Sequence, residues 1–376
     1  MDSLRGRLYY ISRILTSSKY RFLVILILLS FISFHMLNTN RISLYQDLEQ
    51  FNHSNSPSYL IEKEKVLVPV NIWRLFDHQV VCHDQQGVLD RTELINQISK
   101  TCNIQLNGTI SIDLHPPNDF QVRSPSTSKY AQLWQTTKKC SLYENETVAI
   151  VIPYRDRENN LRNLLYNLVP FLNRQSIVNY KIFIVEQQAL GAFNKARLNN
   201  FAFHYLMKTY KPTCVIFHDV DLIPENNQNL YTCLTSADHP IHMSANVRSQ
   251  LEGKYTKIYS FLVGGVLAIR PKSFQFLNGY SNQYFNWGGE DDDMGLRFLA
   301  KDTCVQRPIT GFYYAASHSS QTRNPKRVRL LFDAVIRQDT DGLSNIDRLA
   351  KIANVQEYPL VTWMTVEWID SRLFVS

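Results

Sequence analysis

From Val148 onward, short apolar runs alternate with stretches of helical period, and this alternation restricts the possible folds more than any other feature. "VAIVIP" (148–153) is a buried-strand run closed by Pro153, and "LRNLLYNLVPFLNRQ" (161–175) then carries apolar residues at helical spacing. "YKIFIVEQ" (180–187) predicts a second strand and "ARLNNFAFHYLMKTY" (196–210) a second helix. "TCVIFHDVDLIP" (213–224) predicts a third strand, which runs into two aspartates. The pattern predicts an α/β domain with a mostly parallel central sheet and helices on both faces. Ligands in such sheets bind beyond the carboxyl ends of the strands, where "PYRDR" and "DVD" both fall. Residues 82–147 show no clear period and are expected only to pack on the sheet.

The 376-residue chain has a net charge of +7, and much of that charge sits at its start. Residues 1–21 hold Arg5, Arg7, Arg13, Lys19 and Arg21 against Asp2, a net of +4 that leaves +3 for the rest. No basic stripe of the nucleic-acid-binding kind follows, so nucleic acid is not an expected partner. "FLVILILLSFISFHML" (22–37) comes next, long enough as a helix to span roughly 24 Å of hydrocarbon. A secretory signal peptide is the alternative, but no small-residue cleavage site follows. The expected organisation is a cytoplasmic tail (1–21), a transmembrane signal anchor (22–37), a stem (38–80) and a lumenal catalytic domain (81–376). Positive charge before the span predicts a single-pass type II protein, and the short span suits a thin early-secretory membrane. Sequons at Asn52, Asn107 and Asn145 are expected glycosylation sites in that compartment. The six cysteines show no zinc-type spacing and are read as disulfides, with 15 pairings open.

Three motifs carry chemistry. In "HDVDLIP", Asp219 and Asp221 stand two apart at a strand end, where an extended backbone would point both carboxylates at one divalent cation. A polar strand exit is the plainer alternative. Arg155 and Arg157 in "VIPYRDRENNL" suit phosphate and uridine oxygens, or else a solvated helix start. In "NWGGEDDDMGLRFLA", Gly288 and Gly289 allow close backbone approach and Trp287 offers a flat face for a sugar ring. Four acidic residues, Glu290 to Asp293, then open a helix, where the dipole tolerates negative charge.

"FNKAR" (193–197), "DVDLIP", "NWGGEDDD" and "SHSS" (317–320) together resemble the β-1,4-galactosyltransferase family, in order and spacing, from about Cys102 to the C-terminus. The resemblance implies a GT-A type, Rossmann-like nucleotide-sugar domain in the Golgi membrane, acting on a UDP-sugar donor and a GlcNAc-terminated glycan. It implies Asp291 as the general base of an inverting transfer. Donor contacts would come from Pro153, Arg155, Arg157, Phe193, Lys195, Asp219, Val220, Leu262 and Trp287. Acceptor contacts would come from Tyr259, Gly289, Glu290, Asp291, Asp292 and Arg327. Asp221 and His318 would hold manganese. The resemblance also implies the pairings Cys102–Cys140 and Cys214–Cys233, leaving Cys82 and Cys304 open.

Three positions depart from the family pattern. Ala315 replaces the usual methionine near the metal, which should let magnesium substitute for manganese. Lys195 replaces arginine in "FNRA". Leu262 replaces the tyrosine of galactose-specific members, making room for an acetamido group. The expected reaction is therefore GalNAc transfer from UDP-GalNAc to the 4-hydroxyl of a terminal β-GlcNAc, with galactose transfer from UDP-Gal as the alternative. A membrane-anchored lectin without turnover is the reading from another class.

Overall fold

The computed structural model describes residues 80–369 apart from 83–86, 136–139, 189–190, 235–237, 250–252, 258–260 and 320–321. The first predicted strand forms as β1 (Thr147–Tyr154), and the amphipathic stretch after it as α1 (Glu158–Gln175). Leu161, Leu164, Leu165, Leu168 and Leu172 of α1 are buried in one cluster with Ile150, Ile152, Ile182 and Ile184 of the flanking strands. Burial of each such side chain contributes about 1.5–3 kcal/mol. The next units are β2 (Asn179–Gln187), α2 (Lys195–Thr209) and β3 (Cys214–His218).

Beyond β3 the chain changes sheets. "DLIP" does not prolong β3. Instead the backbone turns at Asp219–Asp221 and enters β4 (Leu222–Pro224). Next come β5 (Ile241–His242), β6 (Asn246–Ser249) and β7 (Val266–Ile269), then α3 (Glu290–Ala300), β8 (Phe312–Ala315), β9 (Ala350–Glu357) and β10 (Thr362–Trp368). The larger sheet has the order β9-β10-β2-β1-β3-β7-β5. A second sheet is ordered β4-β8-β6, with Thr256–Lys257 at its edge.

The mostly parallel sheet expected from the alternation is not what forms. β10–β2, β2–β1 and β1–β3 are parallel, but β9–β10, β3–β7 and β7–β5 are antiparallel, so this GT-A-like α/β domain has a mixed sheet. The reason lies in the connections. Parallel pairing needs a crossover, and α1 and α2 supply it. Among the described residues no helix joins β3 to β7, and β9 meets β10 across a tight turn closed by Tyr358 N–H to Val361 O at 2.8 Å. Pro153 is tolerated because β1 pairs with β3 only over Val148–Val151.

The membrane anchor must also be corrected. Among the described residues no helix is long and apolar enough to cross a membrane. The longest, α1, carries Glu158, Arg162 and Arg174 and belongs to the core. The tail, the proposed span 22–37, Asn52 and nearly all of the stem lie outside the described residues, so the structure gives membrane anchoring and Golgi placement no support. Asn107 and Asn145 are exposed.

Three disulfides link Cys102–Cys140, Cys214–Cys233 and Cys82–Cys304. The last pair joins residues 222 positions apart, a pairing that spacing could not indicate.

Candidate active site

A cavity of about 380 Å³ opens where β1, β3, α2 and α3 converge. Its walls include Pro153, Arg155 and Arg157 after β1, Phe193 and Lys195 at the start of α2, and Asp219, Val220 and Asp221 in the sheet-switching turn. Trp287, Glu290 and Asp291 line it from the start of α3, and His318 from the segment after β8. Asn286, Ser319 and Thr322 also line it, and sequence reasoning did not select them.

The two aspartates of "DVD" do not share one target, because the segment turns instead of staying extended. The Asp219 N–H donates to Gly265 O at 2.9 Å, and its carboxylate lies 3.5 Å from Lys195 Nζ. Asp221 instead meets His318, with Oδ2 3.1 Å from Nε2. The other ring nitrogen of His318 donates to Ser319 O at 2.7 Å, which fixes the ring with Nε2 towards Asp221. A carboxylate oxygen beside an oriented imidazole nitrogen fits a divalent cation such as manganese. Arg157 Nη1 is buried there without a hydrogen-bond partner, a donor suited to a phosphate oxygen. Arg155 donates to Gly191 O at 2.7 Å and lies over the Phe193 ring. Cys82, His239 and Cys304 also cluster, but their two sulfurs are joined as a disulfide and offer no thiolate.

A buried hydrogen-bond chain supports the turn. Asn229 Nδ2 donates to the Tyr313 hydroxyl at 3.1 Å, Tyr313 to Tyr231 at 3.0 Å, and Tyr231 to His218 Nε2 at 2.9 Å. His218 Nδ1 then donates to Asp219 O at 2.8 Å. Burial lowers the His218 imidazole to about 4, so it stays neutral with this direction of donation. The only sequence signal for this chain is a histidine in an apolar strand.

The opposite wall is acidic. Gly288 and Gly289 have φ of +103° and +99°, and a Cβ on Gly289 would strike the Tyr284 ring at 2.5 Å. Trp287 is 42% exposed, with Arg323 and Arg327 guanidinium groups 5.9 and 5.7 Å from its ring centroid. Arg327 is thus placed beside the Gly288–Gly289 backbone. Lys195 Nζ lies 3.0 Å from Glu290 Oε1 and 2.9 and 3.2 Å from the two Asp291 oxygens. Burial raises the Asp291 carboxyl to about 7, against the pull of Lys195. Glu290 Oε2 is buried and has no partner. Gly264 packs behind Asp291, and a Cβ there would collide with its carboxylate. Asp292 and Asp293 are buried and are not among the cavity-lining residues.

Residues 100–234 match the N-terminal region of glycosyl transferase group 7, and residues 245–319 match the N-terminal domain of galactosyltransferase. β-1,4-Galactosyltransferase 4 of Cricetulus griseus is 33% identical over 84% of this chain and 90% of its own. The chain belongs to the β-1,4-galactosyltransferase family. The Rattus norvegicus β-1,4-galactosyltransferase 4 is 38% identical over 75% of this chain and 80% of its own. A solved structure of the Drosophila β1,4-galactosyltransferase 7 catalytic domain with xylobiose aligns at a TM-score of 0.49 and 26% identity, covering 60% of this chain and 95% of that one. The chain is a metal-dependent UDP-sugar glycosyltransferase, and manganese-dependent catalysis accords with its carboxylate–imidazole pair.

The expectation of GalNAc transfer is overturned. These relatives are galactosyltransferases, and Leu262, which carried that expectation, is not among the described residues lining the cavity. Its carbonyl instead accepts from Arg307 Nη2 at 2.7 Å. Tyr259 lies outside the described residues.

Proposed function

We propose that the chain transfers galactose from UDP-Gal to the 4-hydroxyl of a terminal GlcNAc, with inversion. The observation that carries this reading is one cavity holding Asp221 and His318 on one wall and Asp291 on another. Asp221 and His318 would hold the cation, which when bound supplies Lewis-acid stabilisation to the departing UDP. Arg157, with its free donor, binds the diphosphate, and Arg155 with Phe193 holds the uridine end. Trp287 gives the acceptor sugar an apolar face, and Glu290 orients it from the same wall. Asp291 takes the proton from the acceptor 4-hydroxyl. The new O4–C1 bond forms on one side of the galactose C1 as the bond to the phosphate oxygen breaks on the other. The α-linked donor therefore yields a β-linked product. The base beside the cation pair favours turnover over a lectin, which needs neither.

The test is a competition between UDP-Gal and UDP-GalNAc with the purified protein, manganese and a GlcNAc acceptor, with linkage assigned by NMR. Galβ1-4GlcNAc is the expected product. A preference for GalNAc, or no transfer at all, overturns the proposal.

A further inference from the structure

We propose that Lys195 is a positioning residue for the base: its ammonium clamps the Asp291 carboxylate, in place of the donor contact that the family pattern implies. The inference deepens the galactosyl-transfer reading and rests on it.

The geometry is specific. Lys195 opens α2, whose start is fixed by Asn194, the Oδ1 of which accepts from Arg197 N–H at 2.8 Å. A cation at a helix N-terminus opposes the helix dipole and needs compensation. Three carboxylates provide it: Asp291 at 2.9 and 3.2 Å, Glu290 at 3.0 Å and Asp219 at 3.5 Å. The three N–H donors of an ammonium are thereby matched by carboxylates. Burial alone would lower the Lys195 ammonium, yet these acids hold it well above its ordinary value. Gly264 also packs on the Asp291 carboxylate and leaves no room for a side chain of its own. Both contacts restrict where the Asp291 carboxylate can sit.

The groups facing Asp291 are Lys195 from α2, Asp219 from the turn after β3, Glu290 from its own helix and Tyr280 from the loop before it. Burial pushes the carboxyl up, Lys195 pulls it down, and Glu290 and Asp219 push it up again, ending at about 7. The base works ionised, so turnover is full above that pH and is lost as pH falls through it. Removal of the Lys195 charge moves this acid limb to higher pH.

The experiment compares pH profiles of kcat/KM, and KM for UDP-Gal, in wild type, Lys195→Met and Lys195→Arg. In Lys195→Met the acid limb should rise by about one unit or more. Turnover at pH 6.5 should fall roughly tenfold or more, with partial recovery at high pH and little change in KM for UDP-Gal. Lys195→Arg keeps the charge, so it should fold even where the methionine variant does not, and should restore the wild-type limb. A limb unmoved in Lys195→Met, with KM for UDP-Gal raised on the order of tenfold, would assign Lys195 to the donor and overturn the inference. So would a Lys195→Arg protein that tightens UDP-Gal binding through its fork without restoring the limb. Wild-type protein that transfers no galactose overturns the underlying reading, an outcome distinct from both.

Discussion

Asp291 faces a cavity beside a lysine, whereas Asp293, two residues further along the same helix, is sealed in the interior against two arginines. Helical geometry turns each residue by about 100°, so positions two apart point to nearly opposite sides. Asp293 is 0% exposed, with Arg297 Nε at 2.6 Å, Arg337 Nη2 at 3.1 Å and the Tyr284 hydroxyl at 3.1 Å. Arg337 extends the network to Asp341. Asp291 meets one cation and retains contact with the cavity. One acidic run thus contains a residue that holds the helix in place and another left able to take a proton. The difference is set by what packs against each.

Substitution can separate the two roles. Asp291→Asn is expected to lower kcat by roughly 10²–10⁴-fold while the melting temperature stays close to wild type. Comparable losses of stability and rate would mean that Asp291 is structural as well. Asp293→Asn removes the buried negative charge shared by the buried Arg297 and the partly buried Arg337, and should destabilise by about 3–5 kcal/mol in urea or thermal unfolding. Its folded fraction should retain near-normal kcat. A stable but inactive Asp293→Asn protein would reverse the assignment.

Gly264→Ala tests the space behind the base. Displacing Asp291 by the added methyl should cost up to about 10²-fold in kcat, with manganese affinity unchanged by calorimetry. The smallest effect is expected on the metal side. With Ala315 in place of a thioether, magnesium should support appreciable turnover, and Ala315→Met should shift preference several-fold towards manganese. Activity strictly dependent on manganese in wild type would contradict this.

Several features were legible from sequence because they are local. Apolar period marked β1, α1, β2 and α2, and the acidic run marked the start of α3. Motif residues from five separate segments meet in the cavity. What was not legible depended on distant partners. Lys195 reaches Asp291 across 96 positions, and nothing in "FNKAR" shows that its ammonium turns towards carboxylates. "HDVDLIP" looked like one strand because its apolar residues continue past the aspartates, yet the chain turns there into another sheet. Leu262 enters the donor set only through the resemblance, as the counterpart of a family tyrosine, and the fold leaves it off the cavity lining with its carbonyl engaged by Arg307.

The most direct test of the two-walled cavity is anomalous diffraction from crystals containing manganese and UDP-Gal. A metal peak between Asp221 and His318, with the galactose C1 facing Asp291, is the predicted result. A peak elsewhere, or a donor sugar whose C1 faces away from Asp291, would contradict it.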